Sequence, residues 1–235
     1  LKNNQIKIED LPEAKKIPSV DTEELLALQQ AFGYSQEDIR ILMDPMGRAG
    51  QEPVGSMGND SPLALLSEHP QNLFSYFKQQ FAQVSNPPLD AIREQLVTQV
   101  SMTLGAQGNL FDETPTHCRQ LRLDHPIITN SDLAKIKAIN KSNLSTKTIS
   151  TLWKVAAGET GLRDAMDRVR AEASQAALDG HSILILSDRG VDNQHAAIPS
   201  LLAVGGIHHH MIRNGTRLKV SLVVESGEPR EVHHF

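Results

Sequence analysis

A run of four large aliphatic residues, Ile183-Leu184-Ile185-Leu186, lies between Ser182 and Ser187. Such a run has no polar face, so it predicts a strand that is buried on both sides, as in a parallel sheet covered by helices. The covering helices are expected in the segments that precede and follow the strand.

Both neighbouring segments carry helical periodicity. Gly161 to Leu178 places apolar residues at three- and four-residue intervals and ends at Asp179-Gly180, which is a helix stop. Pro199 to Arg213 predicts a second helix, which Asn214-Gly215 ends. Two further strands are predicted at 146–153 and 219–225. The resulting order of elements is β-α-β-α-β.

The earlier part of the chain has mostly helical patterns. Asp21 begins a capping pattern ahead of a helix that Phe32-Gly33 closes, and Ser35 begins a second helix that Asp44-Pro45 ends. Two longer helices, each with an apolar side turned inward, are predicted at 72–84 and 89–104. The inward residues of these helices are predicted to be Leu73, Phe74, Phe77, Phe81, Ile92, Leu96, Val97 and Val100. A short strand is predicted at 121–123.

These patterns together predict an α/β fold built from parallel β-α-β units, barrel-like or Rossmann-like, with an N-terminal helical region. Residues 1–20 are polar and contain two prolines, so they are predicted to be a linker. The remainder, 21–235, is predicted to be one domain. It has a helical part over about 21–120 and a β-α-β part over about 121–235.

Composition limits the classes of function. The formal net charge is -5, and Lys and Arg are dispersed, so the chain has no basic stripe for nucleic acid or for a membrane surface. The single cysteine, Cys118, cannot close an intrachain disulfide or hold an iron-sulfur cluster by itself. No apolar run approaches the roughly 18 residues of a membrane helix, and the first residues lack a signal-peptide core. A cytoplasmic protein is expected.

Polar residues follow two strands of the predicted sheet. Because ligands bind beyond the carboxyl ends of parallel strands, Asp188, Arg189 and Glu225 are a candidate site for a small molecule. The alternative is structural, with Asp188 and Arg189 pairing or capping the next loop. Neighbouring histidines on a helix point about 100 degrees apart, so the run His208-His209-His210 cannot converge on one ion. No metal site is predicted.

Several longer segments resemble one known family. These segments are EPVGSMGNDSPLA at 52–64, YFKQQFAQVSNPPLD at 76–90, PIITN at 126–130, LSDRG at 186–190 and VESGEPREVHHF at 224–235. They closely resemble the central domain of the large subunit of glutamate synthase, which usually has Thr at position 85 and Ile at position 89. The resemblance runs from about residue 21 to the last residue.

The resemblance implies a part of a larger enzyme. Glutamate synthase is an oxidoreductase, NADPH- or ferredoxin-dependent, that makes two glutamates from glutamine, 2-oxoglutarate and reducing equivalents. In the family, a glutamine amidotransferase domain precedes the central domain, and an FMN-binding barrel with an iron-sulfur cluster follows it. A small reductase subunit completes the NADPH-dependent forms. The chain itself is therefore expected to hold no cofactor and no catalytic residue. Its end at residues 232–235 resembles a helix just beginning, so an excised fragment is expected.

The family also implies a role in moving ammonia between two active sites. Ammonia released into bulk water would be protonated and lost, so its passage must exclude solvent and offer a few neutral hydrogen-bonding groups. Residues expected in the tunnel wall are Ser85, Asn86 and Leu89. Residues expected in a domain-contact loop are Ser56, Met57, Gly58 and Asn59. An independent small-molecule-binding domain that uses Asp188, Arg189 and Glu225 remains the alternative.

Overall fold

The computed structural model describes residues 4–14, 19–53, 62–68, 71–77, 84, 87–109, 111–141 and 144–235. Its strands are β1 (Ile6–Lys7), β2 (Met102–Leu104), β3 (Leu121–Leu123), β4 (Asn140–Lys141), β5 (Leu144–Ser150), β6 (Leu152–Lys154), β7 (Ile183–Ser187), β8 (His195–Ala197) and β9 (Ser221–Glu225). Its α-helices are α1 (Thr22–Ala31), α2 (Ala91–Val97), α3 (Asn130–Lys137), α4 (Gly158–Leu178) and α5 (Ser200–Arg213).

The main sheet has the strand order β4-β5-β7-β9. Strand β7 pairs in parallel with β5 on one side and with β9 on the other. Helix α4 connects β5 to β7 along the chain, and α5 lies between β7 and β9. The predicted α/β fold with parallel β-α-β units is confirmed. The sheets formed by the described strands do not close into a barrel.

Strand β7 is buried on both faces, as its aliphatic run predicts. Leu184 and Leu186 belong to a core formed with α4 and α5, together with residues such as Val169 and Ile207. Ile183 and Ile185 belong to a second core on the other face of the sheet. Alternating side chains of one strand thus contribute to two separate cores.

The strand predicted at 146–153 is wrong in its extent. Strand β5 ends at Ser150, and the chain then moves to a two-stranded sheet in which β6 pairs antiparallel with β8. Thr151 lies at the change of sheet, where its N–H donates to the Ser187 carbonyl at 2.9 Å and its carbonyl accepts from Ile198 N–H at 2.9 Å. These two bonds divide one extended segment between two sheets.

The first predicted helix is confirmed. Asp21 accepts a hydrogen bond from Glu24 N–H at 2.8 Å and caps α1, and Gly33 follows the helix with a φ of 67°. The second helix was predicted to end at Asp44-Pro45, which is wrong. It continues as wide π-type turns over Asp38–Met43 and Pro45–Ala49. Pro45 is tolerated because it is the first residue of the second turn, where a donor is not required.

The predicted helix at 89–104 is also wrong in its second half. Helix α2 ends at Val97, and Met102–Leu104 form β2, which pairs with β3. The residues predicted to face inward are exposed instead; Ile92 is 89% exposed and Leu96 is 73% exposed. Pairing with a distant strand therefore overrides the local helical pattern.

In the segment predicted as a helix at 72–84, the described residues form only a 3-10 turn, Leu73–Tyr76. Phe74 is buried as predicted, whereas Phe77 is 61% exposed, so its inward placement is wrong. Phe81 lies outside the described residues. The short strand predicted at 121–123 is confirmed as β3, and it pairs in parallel with β1 from the segment predicted as a linker.

Candidate functional site

The carboxyl ends of β7 and β9 lie side by side and bring together a cluster of charged groups around one buried carboxylate. Ser187 and Glu225 are partners in the register of the two strands. Glu225 is only 7% exposed, and its Oε2 accepts hydrogen bonds from Ser187 Oγ at 2.6 Å and from Lys137 Nζ at 2.7 Å. Its other oxygen, Oε1, pairs with Arg189 Nε. A buried carboxylate is thus matched by two cations.

Helix α3 supplies two residues of this cluster, one from each of its ends. Lys137 is its last residue and binds Glu225, and Asn130 is its first residue and accepts from Arg189 Nη2 at 3.0 Å through Oδ1. A cation at the end of a helix is favoured by the helix dipole. Sequence reasoning missed both Lys137 and Asn130, although PIITN, one of the segments of the family resemblance, ends at Asn130.

Of the three residues predicted to form this site, the structure brings Arg189 and Glu225 into direct contact. Asp188 is buried beside them but has a different partner, because its Oδ2 accepts from Gly227 N–H at 3.1 Å. The predicted alternative, in which Asp188 and Arg189 pair with each other, is not the pairing that the structure gives. The ion pair forms between Arg189 and Glu225.

The two carboxyl groups have opposite pKa shifts. Burial raises the pKa of Asp188, and the nearby charges of Glu225 and Glu228 add to this effect against the hydrogen bonds from Ser226 and Gly227. Burial also acts to raise the pKa of Glu225, but the hydrogen bonds from Lys137, Ser187 and Arg189 outweigh it and lower that pKa. Glu225 is therefore held as a carboxylate and is unsuited to donate a proton near neutral pH.

A small cleft with about 200 Å³ of empty space, including open solvent, lies next to the cluster. It is smaller than the roughly 300–1,000 Å³ of typical ligand pockets. Its lining residues include Thr151, Asp188 and Ser200. The Ser200 N–H and Oγ both donate to Glu228 Oε2, each at 2.6 Å, so the chain itself occupies the N-terminus of α5. The polar groups of the cleft are thus largely bonded within the protein.

Comparison with known proteins assigns this chain to one family. A family model described as the glutamate synthase central domain matches residues 27–235. The chain belongs to this family. The family resemblance proposed from the sequence segments is therefore confirmed.

Three similar proteins show how much of each relative the chain matches. The glutamate synthase [NADPH] large chain of Bacillus subtilis is 47% identical over 212 residues, which cover 90% of this chain and 14% of that protein. The ferredoxin-dependent glutamate synthase of Pyropia yezoensis is 41% identical over 218 residues, which cover 92% of this chain and 14% of that protein. The glutamate synthase [NADH] of Saccharomyces cerevisiae is 42% identical over 207 residues, which cover 87% of this chain and 10% of that protein. The chain spans 10–14% of the length of these relatives.

The remaining predicted site residues of the central domain are placed only in part. Ser85 and Asn86 of the predicted tunnel wall lie outside the described residues, as does the predicted contact loop of Ser56, Met57, Gly58 and Asn59. Leu89 is described and is 50% exposed. The roles of these residues stay predictions.

The described part of the central domain has no group of three or more His, Cys, Asp or Glu side chains arranged to hold a metal ion. None of its described helices has both the length and the apolar character that a membrane span requires.

Among the described histidines, His234 has the most strongly shifted pKa. Burial, aided by the charges of Arg230 and His233, lowers its pKa to about 4, while Asp38 acts weakly in the opposite direction. Its Nδ1 accepts from Arg230 N–H at 3.1 Å, which requires that this nitrogen carry no proton. The other ring nitrogen, Nε2, lies 3.1 Å from Glu231 Oε1. The folded protein thus favours the neutral imidazole.

This shift makes the stability of the central domain dependent on pH. The pKa of His234 is about 4 in the folded protein and ordinarily 6.5. Between these values the unfolded chain binds more protons than the folded chain, so the free energy of unfolding is highest above pH 6.5 and decreases as the pH falls towards 4. We expect the free energy of unfolding to decrease by about 2–3 kcal/mol across this window through His234 alone. Urea unfolding at pH 7 and pH 4.5 measures the change.

His234→Gln keeps a hydrogen-bond acceptor but does not titrate, so its loss of stability between the two pH values should be smaller than that of the wild type. His125→Gln, at an exposed histidine, is the matched control and should lose as much as the wild type does. An equal loss in the wild type and in His234→Gln would contradict the assignment.

Proposed function

We propose that this chain is the connecting domain of a glutamate synthase, between a glutamine amidotransferase domain and an FMN-binding synthase domain. The observation that carries the proposal is the match of the central-domain family over residues 27–235, in a chain that spans 10–14% of relatives named as glutamate synthases. The complete enzyme would convert glutamine, 2-oxoglutarate and reducing equivalents into two glutamates. The domain would guide ammonia between the two active sites.

The FMN and the iron-sulfur cluster of such an enzyme would belong to other parts of the polypeptide, because neither the single cysteine nor the cleft formed by the described residues fits them. The chain has one cysteine, whereas a cluster requires several thiolates. The cleft at the strand ends, with about 200 Å³ including open solvent, is too small for a flavin. The proposed partners are therefore the amidotransferase and synthase domains, with a reductase subunit where the donor is NADPH. Within the enzyme, the domain itself would be non-catalytic.

The charged cluster supports a structural role rather than the alternative of an independent small-molecule site. Glu225 is ion-paired with both Arg189 and Lys137, so a ligand would have to replace partly buried ion pairs in order to bind. Ser187 and Asn130 complete the hydrogen bonding of the cluster. An arrangement of this kind fixes α3 to the ends of two strands.

Ammonia transfer provides the test of the proposed function. In the full-length polypeptide, Ser85→Val and Asn86→Leu should each increase the ammonia released into solvent per glutamine hydrolysed several-fold, because each removes a neutral hydrogen-bonding group from the predicted passage. The measurement compares free ammonia with glutamate formed from 2-oxoglutarate.

Asn193→Leu is the matched control, since Asn193 is exposed in the loop between β7 and β8. This variant should leave the ratio of free ammonia to glutamate unchanged. If Ser85→Val and Asn86→Leu also leave it unchanged, the proposed tunnel wall is wrong.

A further inference from the structure

Residues 22–49, which contain α1 and the π-type turns, form a segment that we name the arm. None of its residues is buried in the structure. Apolar side chains of both helical parts are exposed, including Leu26 at 55% and Ile41 at 45%. Burial of apolar surface therefore contributes little to holding the arm in place. Among the described residues, polar contacts to a distant part of the chain hold the arm, together with the packing of Phe32 against Gly227.

Arg230 makes the largest set of these contacts. Its side chain is only 4% exposed, and its Nη2 donates to the Phe32 carbonyl at 2.7 Å. Its Nη1 donates to the Gly33 carbonyl at 3.1 Å and to Asp38 Oδ2 at 3.0 Å. The guanidinium lies 4.0 Å from the centre of the Tyr34 ring. One cation thus binds two carbonyls at the C-terminus of α1, where the helix dipole is negative. The same cation also binds the Asp38 carboxylate at the start of the next helix.

Gly227 connects the arm to the strand ends. Its carbonyl accepts from Tyr34 Oη at 2.6 Å, and its N–H donates to Asp188 Oδ2 at 3.1 Å. It also lies directly against the Phe32 ring, because a Cβ on Gly227 would be 2.8 Å from Phe32 Cε2. A hydrogen-bonded path therefore runs from a buried carboxyl group, through one backbone residue, to a side chain of the arm.

The segment that contains Gly227 and Arg230 is itself fixed to the core. Glu228 binds the first turn of α5 through Ser200. At the other end, the His234 ring stacks on Phe74 with 4.3 Å between ring centroids. The segment thus has firm attachments on both sides of the residues that hold the arm.

We propose that residues 227–234 are a clasp that holds the arm closed, and that the arm opens as a unit when the clasp is broken while the main sheet stays folded. The arm has little buried apolar surface, so its opening requires less free energy than unfolding of the two cores. Asp188, through Gly227, sets the closed position from the strand ends. The proposal concerns this fold alone and does not depend on the connecting role in glutamate synthase.

Hydrogen exchange measured by mass spectrometry on the full-length polypeptide tests the clasp. Arg230→Lys keeps the charge but loses the planar fork that binds two carbonyls and Asp38. We expect amide exchange in peptides from 22–49 to accelerate by roughly 10–100-fold, and exchange in β7 to change by less than about twofold. Tyr34→Phe removes only the bond to the Gly227 carbonyl and should give the same pattern at roughly fivefold.

Arg213→Gln is the control, because Arg213 is exposed at the end of α5. It should leave both regions unchanged. Two results would overturn the clasp. Unchanged exchange in the arm of both Arg230→Lys and Tyr34→Phe would mean that other contacts hold it. Equal acceleration in the arm and in β7 would mean that the arm and the sheet open together.

Discussion

Glu225→Ala should lower the free energy of unfolding by about 2–4 kcal/mol, because it leaves two cations at the strand ends without their carboxylate. Lys137 and Arg189 are themselves 30% and 36% exposed at the side chain, so water offsets part of the loss. The buried hydroxyl of Ser187 also loses its acceptor. Urea unfolding at neutral pH measures the effect.

Glu159→Ala is the matched control for this prediction. Glu159 is also a glutamate paired with an arginine, but it is 93% exposed and lies 4.0 Å from Arg163, so its loss should cost no more than about 0.5 kcal/mol. Glu225→Gln separates the two roles considered for the site. In the structural role, it reduces stability and leaves the KM values of the complete enzyme unchanged. A large increase in one KM with unchanged stability would favour a small-molecule site.

Leu184→Ala and Ile185→Ala should each cost about 2–5 kcal/mol, although the two side chains point to opposite faces of the sheet. Both residues are 0% exposed. Leu184 packs in the core beneath α4 and α5, and Ile185 packs in the core that includes Leu121 and Ile136. In a sheet with one face in water, one of the two substitutions would be nearly neutral. Denaturant unfolding of both variants measures the difference.

Leu178→Ala is the control for these substitutions, since Leu178 is 71% exposed at the end of α4. It should change stability by no more than about 0.5 kcal/mol. A near-neutral result for either Leu184→Ala or Ile185→Ala would show that one face of β7 is not packed as described.

The β-α-β-α-β part was predictable because its signals are local. The unbroken aliphatic run of β7 and the periodic apolar residues of α4 and α5 each identify an element without reference to the rest of the chain. The end of β5 was not predictable in this way. The bonds that divide the strand at Thr151 come from Ser187 and Ile198, which lie far along the sequence. The same reason explains why Met102–Leu104 form a strand.

The positions of the residues at the strand ends were likewise predictable only in part. The rule that ligands lie at the ends of parallel strands led to Asp188, Arg189 and Glu225, and the structure gathers all three at those ends. It did not lead to Lys137, which is 88 residues from Glu225 along the chain. Arg230 was missed for a similar reason, because its partner Asp38 is 192 residues away. No periodic pattern reports contacts at such separations.

The contact between Gly227 and Phe32 restricts how sequences of this fold can change. A side chain at position 227 would overlap the ring at position 32, because its Cβ atom would lie only 2.8 Å from Cε2 of Phe32. The two positions should therefore vary together. A homologue with any residue other than glycine at 227 should carry a smaller side chain at 32, and a homologue with an aromatic residue at 32 should keep the glycine. An ancestral change at one of these positions would have required the other to change first or to follow.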